Sequence, residues 1–158
     1  MGIQEITAPE LKERLEAALQ ARKAVYLPGS AQALRLFNGF TEGYPDLVVE
    51  LFGKSLLIFD HSRTPQAQDP LVQGVMEFYL QNVPGIEAVI IKRRYSSILV
   101  ERKGMLVYGR KADTRIHEHG IWYAIDLMMN QDASLYLDTE NARLWAIEHL
   151  QGKRVLNT

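Results

Sequence analysis

Leu47-Val48-Val49-Glu50-Leu51-Phe52-Gly53-Lys54-Ser55-Leu56-Leu57-Ile58-Phe59 is the stretch on which the fold turns. Two apolar, β-prone runs flank Gly53-Lys54, and that pair suits a tight turn, so the stretch predicts an antiparallel hairpin. Upstream, Ala33-Leu34-Arg35-Leu36-Phe37 is a further short strand candidate. Asn38-Gly39 and Gly43-Tyr44-Pro45-Asp46 punctuate the loop between them.

Helices are expected on either side of these strands. Thr7-Ala8-Pro9-Glu10 has the capping-box pattern, and Leu11, Leu15 and Leu19 recur at helical spacing, predicting an amphipathic helix from Pro9 to Arg22. Pro28-Gly29-Ser30 breaks the chain after it. Asp69-Pro70 opens a second helix to about Gln81, with Val72, Val75, Met76, Tyr79 and Leu80 on one face, and Pro84-Gly85 ends it. Ala88 to Ile91 and Ile98 to Val100 are then strand candidates joined by the basic turn Lys92 to Ser97. Met105 to Tyr108 extends this meander, and Ile121 to Met128 is another strand. Leu135-Tyr136-Leu137 leads into a last helix, about Asp138 to Leu150, with Asp138 at the N-cap. After Gly152, Val155-Leu156-Asn157-Thr158 reads as an apolar strand with nothing following it. The expected class is α+β: a mostly antiparallel sheet with flanking helices, ending at the first helix and strand of a doubly wound, Rossmann-like domain.

The chain has 158 residues, 47% of them hydrophobic, enough for a real core. Its formal net charge of -1 gives no global pull toward polyanions, so any nucleic-acid site must be a local patch. Having no cysteine, it offers neither thiolate zinc ligands nor a cysteine nucleophile. The polar N-terminus lacks the pattern of a signal peptide, and no apolar run is long enough to span a membrane. A cytoplasmic location without membrane association is the expectation.

Several polar groupings could carry chemistry. Glu42, Asp46 and Glu50 surround Arg35 in a turn-rich segment, where acidic loop residues ordinarily serve the turns themselves. His117-Glu118-His119 offers two imidazoles on one strand face, short of the three or four ligands a metal needs, so no metal is expected. Lys92, Arg93, Arg94, Arg102 and Lys103, with Arg110, Lys111 and Arg115 after them and Tyr95 and Tyr108 among them, form the basic concentration of the chain. Charge interleaved with aromatic rings suits single-stranded nucleic acid, and it equally suits a sheet edge guarded by charge.

Taken in order, these segments resemble the region just before the catalytic domain in class I S-adenosylmethionine-dependent methyltransferases of the large-subunit ribosomal RNA cytosine-C5 type. The family stretch runs from an arginine through Asn, Asp-Gly, Pro-Gly and Asp to a final glycine. Arg35 to Gly53 is similar to it, with Glu42 and Glu50 in place of the two aspartates and Asp46 in place of a glycine. Glu118-His119-Gly120 is similar to the family's E-x-G. Ser134 to Arg143 is similar to its G-[YF]-[YF]-L-D-x-R-x-x-R, with Ser134 for the glycine and Glu140 for the first arginine. Val155-Leu156-Asn157 matches the start of the strand that follows. The likeness spans roughly Arg35 to Thr158.

The resemblance implies an enzyme that transfers methyl from S-adenosylmethionine to RNA, an rRNA base. It implies residues 1–30 as an N-terminal helix and linker, 31–118 as a substrate-recognition domain, and 119–158 as a linker hairpin and the start of the methyltransferase domain. Tyr136, Asp138, Asn157 and Thr158 would border the cofactor, since ligands of such sheets sit beyond the carboxyl ends of the strands. Lys92, Arg93, Arg94, Arg102 and Lys103 would meet RNA. The family's catalytic residues fall beyond Thr158, so the stretch alone is expected to be inactive. Other readings are a binding or dimerisation module that pairs with a second copy, and a methyltransferase of DNA, protein or a small molecule.

Overall fold

The first element starts at Thr7. Its hydroxyl accepts from the Glu10 N–H at 3.4 Å, and the Glu10 carboxylate accepts from the Thr7 N–H at 2.8 Å, completing the capping box. The helix that follows, α1 (Ala8–Arg22), buries Leu11, Leu15 and Ala18. The computed structural model describes residues 6–64, 69–129 and 131–155. Next come β1 (Ala33–Asn38), β2 (Leu47–Phe52), β3 (Ser55–Asp60), α2 (Asp69–Asn82), β4 (Ala88–Arg93), the one-turn α3 (Leu99–Lys103) and β5 (Met105–Tyr108). A hairpin of β6 (Arg115–Glu118) and β7 (Ile121–Ala124), a 3₁₀ turn (Leu137–Thr139) and α4 (Glu140–His149) complete it.

Strand order is β1-β2-β3-β4-β5. Pairing is antiparallel except for β3 with β4, which run parallel because α2 carries the chain back across the sheet. The β2–β3 turn has Gly53 at φ 60°, a left-handed conformation suited to glycine. Asp113 locks that turn. Its Oδ2 accepts from the Lys54 N–H and the Ser55 hydroxyl, both at 2.9 Å, while Ser55 Oγ accepts from the Asp113 N–H at 2.7 Å.

Side-chain alternation gives the sheet two buried faces. Val49, Leu51, Leu56, Ile58, Val89 and Ile91 meet α1 and α2 on the first. Phe52, Leu57 and Ile90 face the other way, under Ile116, Ile125, Leu127 and Ala133. A bulge between Arg35 and Phe37 sends both Leu36 and Phe37 into the helix-side core while Arg35 stays opposite Glu50.

Two expectations are corrected. Ile98-Leu99-Val100 is no strand: it leads into α3, and all three side chains are exposed. Ser96 builds that turn, its Oγ accepting from the Ile98 N–H at 3.1 Å and its carbonyl accepting from Arg102 Nη1 at 2.7 Å. The strand expected from Ile121 to Met128 ends at Ala124, because Ile125 and Leu127 leave the hairpin to cover the second face of the sheet. Val155 is exposed and in no regular element, whereas Leu156, Asn157 and Thr158 lie outside the described residues. The expected domain boundary at 118/119 falls in the turn of the β6–β7 hairpin.

Candidate functional site

The second face of the sheet carries a row of charge at its centre, whereas the charge on the first face, Asp60 beside Arg93, lies at the ends of β3 and β4. Register places Arg35 opposite Glu50, Glu50 opposite Leu57, and Leu57 opposite Ile90. The neighbouring row is Val48, Phe59 and Lys92. Arg35 donates from Nε and Nη2 to Glu50 Oε1 at 2.9 and 2.7 Å. Glu50 is 4% exposed, and burial pushes its carboxyl up against the opposing pull of Arg35.

The segment after β7 folds across these rows and leaves a cleft of about 220 Å³. Arg35 and Glu50 lie at its floor, with Val48, Phe59, Leu135 and Leu137 as apolar walls. His61, Tyr136, Asp132 and Arg94 complete the lining. Burial holds the His61 imidazole below its ordinary value, favouring the neutral ring. Arg94 and Asp132 pair at 3.7 Å, both about half exposed.

The five basic residues singled out in the sequence separate. Lys92 is 1% exposed and sits on the sheet face, donating from Nζ to the Asp132 carbonyl at 2.7 Å. Desolvation lowers its pKa to about 8. It therefore cannot meet RNA at the surface, which corrects that expectation. Arg93 points the other way and is occupied by Asp69 at the start of α2 and by Glu101 of α3. Arg94 and Lys103 are exposed, and Arg102 is partly so. Exposed Tyr95 joins them, with the Arg63 guanidinium 5.7 Å from its ring centre.

Of the four residues expected at a cofactor, the structure describes two. Tyr136 lines the cleft and is 58% exposed. Asp138 is exposed and lies inside the 3₁₀ turn. It is not the helix N-cap: that position is Thr139, which makes no side-chain capping bond. Asp138 accepts no hydrogen bond among the described residues, so an aromatic face and an uncommitted carboxylate stand two residues apart. Both are groups that an adenosyl or amino-acid moiety can use.

Glu42 serves its turn as expected, accepting from Arg22 at 2.6 Å and from the Asn38 N–H at 2.7 Å. Around the other acidic motif, Glu118, His119 and Glu140 each bring one ligand atom within 4.8 Å of the others. Both Glu118 oxygens already accept from Arg143, whose positive charge opposes a cation there. His119 sits in the hairpin turn at φ 49° rather than on the strand face with His117.

In the sequence Arg35 and Glu50 stand out as part of a polar, turn-rich grouping and as motif positions, whereas nothing local joins Phe59, His61 or Asp132 to them. Strand parity was the available signal, since Val48, Glu50, Phe59 and His61 share one face once the hairpin register is set.

No family model matches the chain. A ribosomal RNA large subunit methyltransferase of Deinococcus radiodurans is 27% identical over 91% of the chain. Ribosomal RNA large subunit methyltransferase I of Erwinia tasmaniensis is 25% identical over 91% of it. The chain spans 37% of the length of each. Among solved structures, a Streptococcus mutans chain described as a SAM-dependent methyltransferase superposes with a TM-score of 0.72 at 20% identity, covering 93% of this chain and 37% of its own. A second methyltransferase structure, solved with SAH, gives the same values. The likeness to methyltransferases of this class that the motifs carry is thus the likeness found over nearly the whole chain, and the α+β fold is shared.

Proposed function

We propose that this chain is the substrate-side part of an S-adenosylmethionine-dependent methyltransferase acting on RNA, an rRNA base in particular. The observation that carries the reading is the likeness to large-subunit rRNA methyltransferases along nine-tenths of the sequence. The cleft supports it by gathering Arg35 and Glu50 from one family-like segment and Tyr136 from another.

When bound, S-adenosylmethionine supplies an electrophilic methyl group on a sulfonium. Tyr136 and Asp138, with Asn157 and Thr158 after the helix, are the residues of this chain that would border it. Arg94, Lys103 and Arg102 would meet RNA phosphates, whereas Lys92 and Arg93 hold the surface that carries them. This role asks for positioning and exclusion of water and needs no nucleophile from these residues. Residues 31–118 then act as the recognition domain and the hairpin as the link toward the cofactor side. A cytoplasmic location accompanies such a substrate, and among the described residues no helix is long and apolar enough to cross a membrane.

A second copy of the chain is a further partner under this reading. Ile121 and Tyr123 of β7 form an open, largely apolar groove with Ala146 and Ile147 of α4 and with Leu150 just after it, edged by Arg143 and Gln151. Light scattering checks whether that face pairs.

The main test is binding of a fluorescein-labelled large-subunit rRNA fragment at two salt concentrations. Salt-sensitive binding together with weak or undetectable affinity for S-adenosylmethionine is expected of this chain. No RNA binding at low salt would remove the RNA reading, and near-micromolar cofactor binding would move the domain boundary.

A further inference from the structure

The cleft on the second face of the sheet has the size and chemistry of a site for one ring system. Its volume of about 220 Å³ falls below the roughly 300–1,000 Å³ of pockets for drug-sized ligands. Its walls are apolar, and its floor presents a donor beside an acceptor. Arg35 uses Nε and one Nη2 hydrogen on Glu50 Oε1, which leaves further guanidinium hydrogens unspent. Glu50 Oε2 accepts no hydrogen bond among the described residues. A planar heterocycle with a carbonyl or ring nitrogen next to an N–H matches that pair, and every nucleobase has such an edge.

The mouth of the cleft adds two features. Tyr136 stands there largely exposed, an aromatic face without a stacking partner among the described rings. Arg94 lines the cleft and also belongs to the basic turn, continuous with Tyr95 and Arg63. A strand lying along the turn with its phosphates at Arg94 could drop one base inward. Charge outside and stacking inside is how unpaired nucleic acid is held.

We propose that this cleft receives a single unpaired nucleobase, its edge at Glu50 and Arg35 and its face on Tyr136. The RNA source of that base rests on the reading given under Proposed function, but the nucleobase chemistry does not. The same pocket chemistry could take the adenine of the methyl donor, so the test separates the two sources.

The ¹⁵N-labelled chain is titrated separately with the four nucleoside monophosphates, with a ten-nucleotide single-stranded RNA and with S-adenosylhomocysteine. The expected result is amide shifts at residues 48–50, 59–61 and 132–137 with the monophosphates and the RNA. Tyr136→Ala should weaken the RNA about tenfold, within the range of base–aromatic stacking. Tyr136 is exposed, so this variant keeps the fold even where Glu50→Gln, which weakens a buried ion pair, does not. Cleft shifts with RNA but not with S-adenosylhomocysteine assign the base to RNA. Cleft shifts with S-adenosylhomocysteine that displace the monophosphates assign it to the cofactor. RNA binding that shifts only residues 93–103, or is unchanged in Tyr136→Ala, overturns the cleft and leaves the RNA reading standing. Monophosphate shifts in the cleft without RNA binding do the reverse. Absence of all shifts removes both.

Discussion

Arg143 of α4 and Glu118 of β6 form a two-pronged ion pair, with Nη2 reaching both carboxylate oxygens at 2.9 and 2.8 Å and Nε reaching one at 3.2 Å. The same guanidinium donates from Nη1 to the Tyr136 carbonyl and to Thr139 Oγ1, both at 2.7 Å. Helix α4 buries none of its own residues, and this side chain, together with the 3.1 Å contact of Glu140 with His119, fastens it to the hairpin and to the 3₁₀ turn.

Arg143→Met should therefore loosen α4 selectively. The expected loss is about 1–3 kcal/mol, the scale of hydrogen bonds to charged groups. Amide exchange should accelerate across 140–149 while β2, β3 and β4 keep their protection. Uniform destabilisation of the sheet as well would mean that α4 is held by something else.

Arg93 and Arg94 are neighbours with opposite duties. Arg93→Ala removes the partner of Asp69 and Glu101, and urea denaturation should record a loss of about 1–3 kcal/mol. Arg94→Ala should leave stability within about 0.5 kcal/mol, as surface changes generally do. It should flatten the salt dependence of RNA binding by about 0.7 in log–log slope, one phosphate's worth on a single strand. Lys103→Ala should behave like Arg94→Ala. Equal RNA affinities in parent, Arg94→Ala and Lys103→Ala would move the RNA path elsewhere.

The buried Lys92 ammonium predicts a pH dependence of stability. Its folded pKa, about 8, lies below the roughly 10.4 of a free lysine, so between those values the unfolded chain binds more protons. Stability rises with pH wherever that holds. The cost of burying the charge is fully present below pH 8 and fades toward pH 10.4. Measured against Lys92→Met, which has no such proton to lose, the parent should gain stability across that window. A pH-independent difference between the two would place the folded pKa at the ordinary value.

Asp138 caps no helix here, so its removal should cost little. Asp138→Ala is expected to melt within a degree or two of the parent, consistent with a change of less than about 0.5 kcal/mol at an exposed site. Under the proposed role it should nonetheless weaken S-adenosylmethionine, read by calorimetry on the longest form of the protein that binds it. A large drop in melting temperature would instead show that the carboxylate supports the 3₁₀ turn.

Much of the sheet was legible because its signals are local. The Gly53-Lys54 turn and the runs beside it carry their own register, and the capping box of α1 is contained in four consecutive residues. What escaped depended on distant partners. Ile98-Leu99-Val100 has strand composition, yet Glu101 answers to Arg93 and Arg102 answers to Ser96, and those bonds wind the segment into a helical turn. Lys92 looked like part of a basic surface because it adjoins Arg93 and Arg94. Its parity with Ile90 points inward, and the arrival of Asp132, forty residues on, supplies a carbonyl that offsets the cost of burial. Likewise, Arg143 and Glu118 were visible as separate motif positions, and the bond that joins them was not.

The lone parallel pairing in the sheet sets an order of assembly. β1, β2 and β3 join residues close together in the chain, so their loops close at small entropic cost. β4 cannot dock until the chain has travelled through α2 and returned beside β3, and β5, Ile125, Leu127 and residues 133–137 must wait for β4. Because contacts between distant residues slow folding, the three-stranded meander should gain exchange protection first in a refolding pulse. The cleft, whose floor belongs to that meander and whose outer wall comes from Asp132 to Leu137, would be among the last features to close.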